Sequence, residues 1–170
     1  MRLRLVPLLA VLTLTCLSAL GAQGQQPAKP TPIDLLREFL ERDGRGDRLR
    51  TDSWMAQHTI WGPSEAGWDG YMVITSYRLR TVQADTSKAK LAVTYDVAGF
   101  VDVDTSAHYT RRPRTETVVF TLAFTDAGWQ LAAPIVEPHV LANQISPRTS
   151  LSRHDWALLR LDARRVRQSP

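Results

Sequence analysis

Cysteine is all but missing from this chain of 170 residues: the one present, Cys16, lies inside an apolar run near the N-terminus. That run extends from Leu5 to Leu20, follows Met1, Arg2 and Arg4, and leads into the small residues of Ala19-Leu20-Gly21-Ala22-Gln23-Gly24. Basic start, apolar stretch and small residues in that order predict a secretory signal peptide over residues 1–24, cut after Gly24 in preference to Gly21. An uncleaved anchor is disfavoured, since about 16 apolar residues fall short of the roughly 20 that span a bilayer, and Pro7 interrupts them. Thr13-Leu14-Thr15 is a poor lead-in to a lipidated cysteine, so Cys16 is expected to leave with the signal. The mature chain would then have no disulfide, no thiol nucleophile and no cysteine zinc site, and would work in a periplasm or outside the cell.

Several catalytic signatures are also lacking. The four histidines, His58, His108, His139 and His154, stand apart, and no His-Glu-x-x-His pair joins two of them on one helix. Neither a Gly-x-Ser-x-Gly elbow nor a phosphate-binding glycine loop occurs. No metal, no cofactor and no catalytic residue is therefore assigned. Charge of one sign is scarce too: the net charge is +4, and two of the arginines leave with the signal. A nearly neutral exported chain is not expected to bind nucleic acid.

What remains is ordinary for a globular domain, with 44% apolar and 22% charged residues. The length suits a single core. A polar linker over 25–30 precedes one α+β domain over 31–138, and a loop and basic helix over 139–170 complete the chain.

Thr31-Pro32-Ile33-Asp34 reads as a capped helix start, and Ile33, Leu35, Leu36, Phe39 and Leu40 form a wide apolar stripe that Gly44 ends. A short helix and a short extended piece follow between Arg48 and Trp61, then a loop through Trp68. From Tyr71 the period becomes two. Strands are expected over Tyr71–Gln83, Ala89–Val103, Arg114–Thr125 and Trp129–Ala133, forming an antiparallel meander that Pro134 and Pro138 end.

Alternation places Val73, Thr75, Tyr77 and Leu79 on one inward face, with Leu91, Val93, Tyr95, Val97, Val101 and Val103 on the next strand. Val118, Phe120, Leu122 and Phe124 share the inward face of the third strand, opposite the first helix. Ser152 and Asp155 form a capping box with Leu151 and Trp156 as its staple, opening a helix over Arg153–Arg165. Its stripe is Trp156, Leu159, Ala163 and Val166, while Arg160, Arg164 and Arg167 face water.

This order of elements, closing on Phe124-Thr125-Asp126-Ala127-Gly128-Trp129-Gln130-Leu131, resembles the nuclear transport factor 2-like superfamily, which includes ketosteroid-isomerase-like enzymes. The resemblance implies an α+β cone, a curved sheet of about four strands covered by N-terminal helices around a pocket. The C-terminal helix is an addition to that plan. An isomerase of this kind would need an inward carboxylate base beside an inward hydrogen-bond donor. Tyr77 and Tyr95 supply donors, but Asp96 and Asp102 fall on the opposite face unless a bulge at Gly99 re-aims Asp102.

The expected function is accordingly an exported non-enzymatic module that binds a small molecule or a protein partner. A ketosteroid-isomerase-like enzyme for a small apolar substrate is the alternative. Tyr77, Tyr95, Trp61 and Trp129 are the candidate ligand-binding residues, with Glu137 and His139 at a pocket rim. Trp54, Trp61 and Trp68 recur every seven residues, and core anchoring is preferred to ligand stacking for them. From Arg148 onward six arginines face two aspartates. That excess suits an anionic membrane surface or an acidic partner, but a solvated helix face is preferred. Oligomeric state is left open.

Overall fold

The structure, a computed structural model, describes residues 30–50, 53–62, 67–104 and 106–166. The expected signal peptide over 1–24, most of the expected linker over 25–30 and Arg167 lie outside these residues.

Helix α1 spans Pro32–Gly44, and the Thr31–Asp34 capping box is formed in both directions. The helix ends later than Gly44 would have it: Arg45 is still helical, and Gly46 takes the left-handed conformation (φ 78°) that glycine adopts without a Cβ penalty. A 3₁₀ turn at Asp47–Leu49 and a short helix α2 at Ser53–His58 follow. Thr59 then bridges to Leu131, the short extended piece expected before Trp61.

Strands β1 (Gly70–Ala84), β2 (Lys88–Asp102), β3 (His108–Thr125) and β4 (Gly128–Ala133) form the expected antiparallel meander. β3 starts six residues earlier than the polar sequence 108–113 suggested, because its first half pairs with the end of β2. Pro134 and Pro138 do not end the sheet. The chain crosses back and adds β5 (His139–Leu141), three residues parallel to β1, so the order is β4-β3-β2-β1-β5. The result is α+β: N-terminal helices, a curled and mostly antiparallel five-stranded sheet, and helix α3 (Arg153–Ala163). No helix among the described residues is long and apolar enough to cross a membrane.

Two cores result, because bulges switch faces. Between Val73 and Ser76 on β1, and between Val97 and Gly99 on β2, the pairing register shifts. An inserted residue reverses the side to which the rest of the strand points. Ile74, Leu91, Val93, Tyr95, Val97, Val118, Phe120, Leu122 and Leu131 pack with Leu35, Leu36, Phe39 and Leu40 of α1. Phe39 meets Phe120 edge to face at 5.9 Å.

Beyond the bulges, Tyr71, Val73 and Val101 join Tyr109 and Leu159 in a second core beneath α3. Val73 and Val101 therefore leave the face that strict alternation gave them, and Val103 is exposed. Gly99 allows the switch: a Cβ there would collide with the Thr110 carbonyl and lie 2.7 Å from the Tyr109 ring. Phe124 also departs from expectation, being 44% exposed at the sheet's end, where it packs edge to face on Trp129.

Helix α3 docks through its apolar stripe, as expected, and through two carboxylates that are almost wholly buried. Trp156, Leu159, Ala163 and Val166 belong to the second core, with Arg160 and Arg164 exposed. Asp155 caps the helix with Ser152 and accepts from His108 at 3.1 Å. Asp162 accepts from the Tyr109 hydroxyl at 2.9 Å and from Arg111 Nε at 3.0 Å. Burial and the neighbouring Asp162 carboxylate both push the Tyr109 phenol upward, so it stays a donor at neutral pH. Asp162→Asn, which removes the charge and leaves one partner poorly matched, is expected to cost about 2 kcal/mol in urea denaturation. An unchanged midpoint would mean that the apolar stripe alone holds α3.

Candidate functional site

A buried polar group lies against the first core, assembled from four separate elements. Asp43 comes from the last turn of α1, Arg48 from the 3₁₀ turn and His139 from β5, all meeting Tyr95 on β2. Both side chains of the Asp43–Arg48 pair are 1% exposed, with Arg48 Nη1 3.4 Å from Asp43 Oδ1. Arg48 Nη2 donates to the Val136 carbonyl at 2.7 Å, tying the β4–β5 crossover to α1. The His139 backbone N–H donates to Asp43 Oδ2 at 3.1 Å. One carboxylate thus organises a cation and the start of an edge strand.

The His139 ring stacks on Tyr95, with centroids 4.0 Å apart and planes inclined by 18°. Among the described residues no hydrogen bond of good geometry is made by the Tyr95 hydroxyl or by either ring nitrogen of His139, and His139 Nδ1 lies 4.0 Å from Asp43 Oδ2. Burial, and then the Arg48 charge, lower the His139 pKa from 6.5 to about 4, against a smaller opposing influence of Glu137. Burial, and then the Asp43 carboxylate, hold the Tyr95 phenol well above its ordinary range. At neutral pH this is a neutral imidazole on a neutral phenol beside a compensated ion pair. Orphaned polar groups of this kind are uncommon inside proteins and call for an explanation.

A cleft of about 950 Å³ opens at the side of this group. Its walls come from the 3₁₀ turn, α2, Trp68, Tyr71 of β1 and the segment from Val140 to Thr149. Arg48 belongs to both places: it borders the cleft, while its guanidinium is turned inward to Asp43 and lies 5.4 Å from the Trp68 ring centroid. Among the described lining residues three are arginines, Arg45, Arg48 and Arg50, and none is acidic. Leu49, Met55, Val140 and Ile145 supply apolar wall, and Gln144, Ser146 and Thr149 supply hydrogen-bonding groups. Burial raises the Tyr71 phenol, with the Thr149 hydroxyl bonded to it, so the inner wall is uncharged.

The structure scatters the residues singled out from the sequence. Tyr95 points inward as expected and is buried; Tyr77 points inward on β1, opposite Tyr95, and is half-buried. Trp61 and Trp129 are half-buried against the first core, and the Trp61 indole nitrogen has no hydrogen-bond partner among the described residues. Glu137 is exposed, whereas His139 is an interior strand residue. None of these six lines the cleft. Asp96 remains on the outer face, accepting from the Ser76 hydroxyl at 2.6 Å. The bulge at Gly99 exists, yet Asp102 stays exposed and caps Asp104.

Of the three spaced tryptophans, Trp54 stacks on His58 at 4.1 Å beneath Arg42, and Trp68 alone borders the cleft. Reasoning from sequence missed Asp43, Arg48 and the arginines of the turn, whose one local signal is the run Arg45-Gly46-Asp47-Arg48-Leu49-Arg50 after a helix end. Among the described residues no group of three or more potential ligands could hold a metal ion. Compared with known proteins, the chain matches no family model, no curated protein and no solved structure.

Proposed function

We propose that this chain is an exported, non-enzymatic module that takes a small ligand into the cleft beside its curled sheet. The cleft carries the proposal: its volume lies in the range of small-molecule sites, and it combines apolar wall with a few polar groups. Export rests on the basic, apolar and small-residue order of residues 1–24. The helices, curled sheet and final Gly128-Trp129 hairpin support a nuclear transport factor 2-like framework, on which many functions occur.

The ketosteroid-isomerase-like alternative draws on Asp43, Tyr95 and His139, which lie together in the core, with the His139 ring stacked on Tyr95 and its Nδ1 4.0 Å from Asp43. Against it, Asp43 is already engaged by Arg48 and the His139 backbone, and both rings are 1% exposed. A substrate would have to displace core side chains to reach them.

The test is a thermal-shift screen of the mature chain against a diverse small-molecule panel, repeated on Ser146→Trp, which places an indole at the cleft wall. Ligands that raise the melting temperature of the native chain should lose that effect in the variant. Equal shifts in both proteins would put the binding site elsewhere.

A further inference from the structure

We infer that the cleft selects a small amphipathic anion, its carboxylate or phosphate head held by Arg45 and Arg50 and its apolar body laid along Leu49, Trp68 and Ile145. This inference rests on the cleft being the ligand site and adds the ligand's chemical class.

The three arginines are not equivalent. Arg48 is neutralised by Asp43 and its side chain is 1% exposed, so its charge belongs to the core. Arg45 is half exposed and shares Asp47 at 3.2 Å, an ion pair that water screens. Arg50 is exposed and forms no ion pair among the described residues. Arg45 and Arg50 thus both line the cleft, and no described lining residue is acidic; the carboxylate paired with Arg45 is that of Asp47, outside the lining.

Guanidinium matches a carboxylate or phosphate with paired, charge-assisted hydrogen bonds, and an adjoining low-dielectric wall strengthens them. A cationic ligand would meet repulsion here, and a neutral apolar one would leave the arginines unused. The same lining includes apolar surface: Leu49 is 40% exposed, Ile145 is buried, and the half-buried Trp68 borders the cleft with Arg48 over its ring. Gln144, Ser146 and Thr149 complete a polar margin able to donate to the same head. A volume of about 950 Å³ accommodates a chain of roughly ten carbons with its head. The concave shape suits a single molecule rather than a membrane surface.

The experiment uses four ten-carbon probes below their micelle concentrations: decanoate, decyl phosphate, decanol and decyltrimethylammonium. Binding to the mature chain is read by calorimetry and tryptophan fluorescence. Decanoate or decyl phosphate should bind at least roughly tenfold more tightly than decanol, as one charge-assisted hydrogen bond provides, and the ammonium should be weakest. The two anions distinguish a carboxylate from a phosphate head. Arg45→Gln/Arg50→Gln should erase the preference for anions while leaving decanol affinity and the melting temperature as they were.

Equal binding of decanol and the anions, or anion binding unchanged in the double variant, would overturn the charge inference and leave the cleft as ligand site. Binding of all four that persists in Ser146→Trp would overturn the cleft itself. No binding of any probe would overturn the inference of an alkyl anion.

Discussion

Replacing Arg48 with Ala is expected to lower stability by about 3 to 5 kcal/mol, the cost of leaving one partner of a buried ion pair uncompensated. Three losses coincide at this position. Asp43 keeps its charge in a site that is 1% exposed, still accepting from the His139 backbone N–H. The Val136 carbonyl loses its donor at 2.7 Å, which frees the crossover that delivers β5. Phe39 and Trp68 lose a guanidinium placed 5.5 and 5.4 Å from their ring centroids. Urea denaturation reads the sum as a lower midpoint.

A second variant separates charge from packing. Asp43→Asn/Arg48→Met removes both charges and keeps most of the volume, so it should recover much of what Arg48→Ala loses. If the double variant is as unstable as Arg48→Ala, the pair is not an electrostatic unit, and packing around the long side chain accounts for the effect.

The parts of this fold that follow a local period are legible in the sequence. Thr31 with Asp34, and Ser152 with Asp155, mark two helix starts because a side-chain cap is complete within four residues: reciprocal at Thr31, and at Ser152 formed by its hydroxyl accepting from the Asp155 N–H. The strands of the meander show a period of two, and the Asp126-Ala127-Gly128 turn positions its final hairpin. What is not legible is whatever depends on one extra residue or on distant partners. The bulges of β1 and β2 change which side chains face α1, yet only Gly99 hints at them, through a close approach to Thr110 and Tyr109. Once the face switches, Val73 and Val101 join a core beneath α3 that simple alternation cannot yield.

β5 illustrates the second difficulty: three residues directly after Pro138 carry no period, and they become a strand because β1 offers a free edge. The buried carboxylates of α3 are an intermediate case. Asp155, Leu159 and Asp162 share a helix face by spacing alone, so a reading that follows the face rather than the residue type finds two acids pointing at the sheet. Their partners, His108, Tyr109 and Arg111, sit about fifty residues away, in a stretch that reads as a polar connection. The candidate site is the least legible of all, since Asp43, Arg48, Tyr95 and His139 come from four elements and no motif joins them.

That assembled group leads to an expected pH dependence. His139 has a folded pKa of about 4 against an ordinary 6.5, chiefly because burial disfavours the imidazolium and secondly because Arg48 is positive. Above pH 6.5 the ring is neutral in both folded and unfolded chains, and its contribution to stability is complete. As the pH falls from 6.5 towards 4 the unfolded chain takes up a proton that the folded chain does not, so stability is lost across that window. At about 1.4 kcal/mol for each pH unit, the loss by pH 4 is roughly 3 kcal/mol. Below that pH both states carry the proton and the contribution becomes flat.

Because the midpoint of the native chain reports all of its groups together, the readout is the difference between the native chain and His139→Phe. Phenylalanine keeps a flat ring against Tyr95, retains the backbone N–H that Asp43 accepts, and brings no nitrogen to be left without a partner. Urea midpoints measured every half unit from pH 4 to 7.5 should fall more steeply towards acid for the native chain than for the variant. Parallel profiles would mean that His139 is not a neutral buried ring, and that its stacking on Tyr95 persists when it is charged.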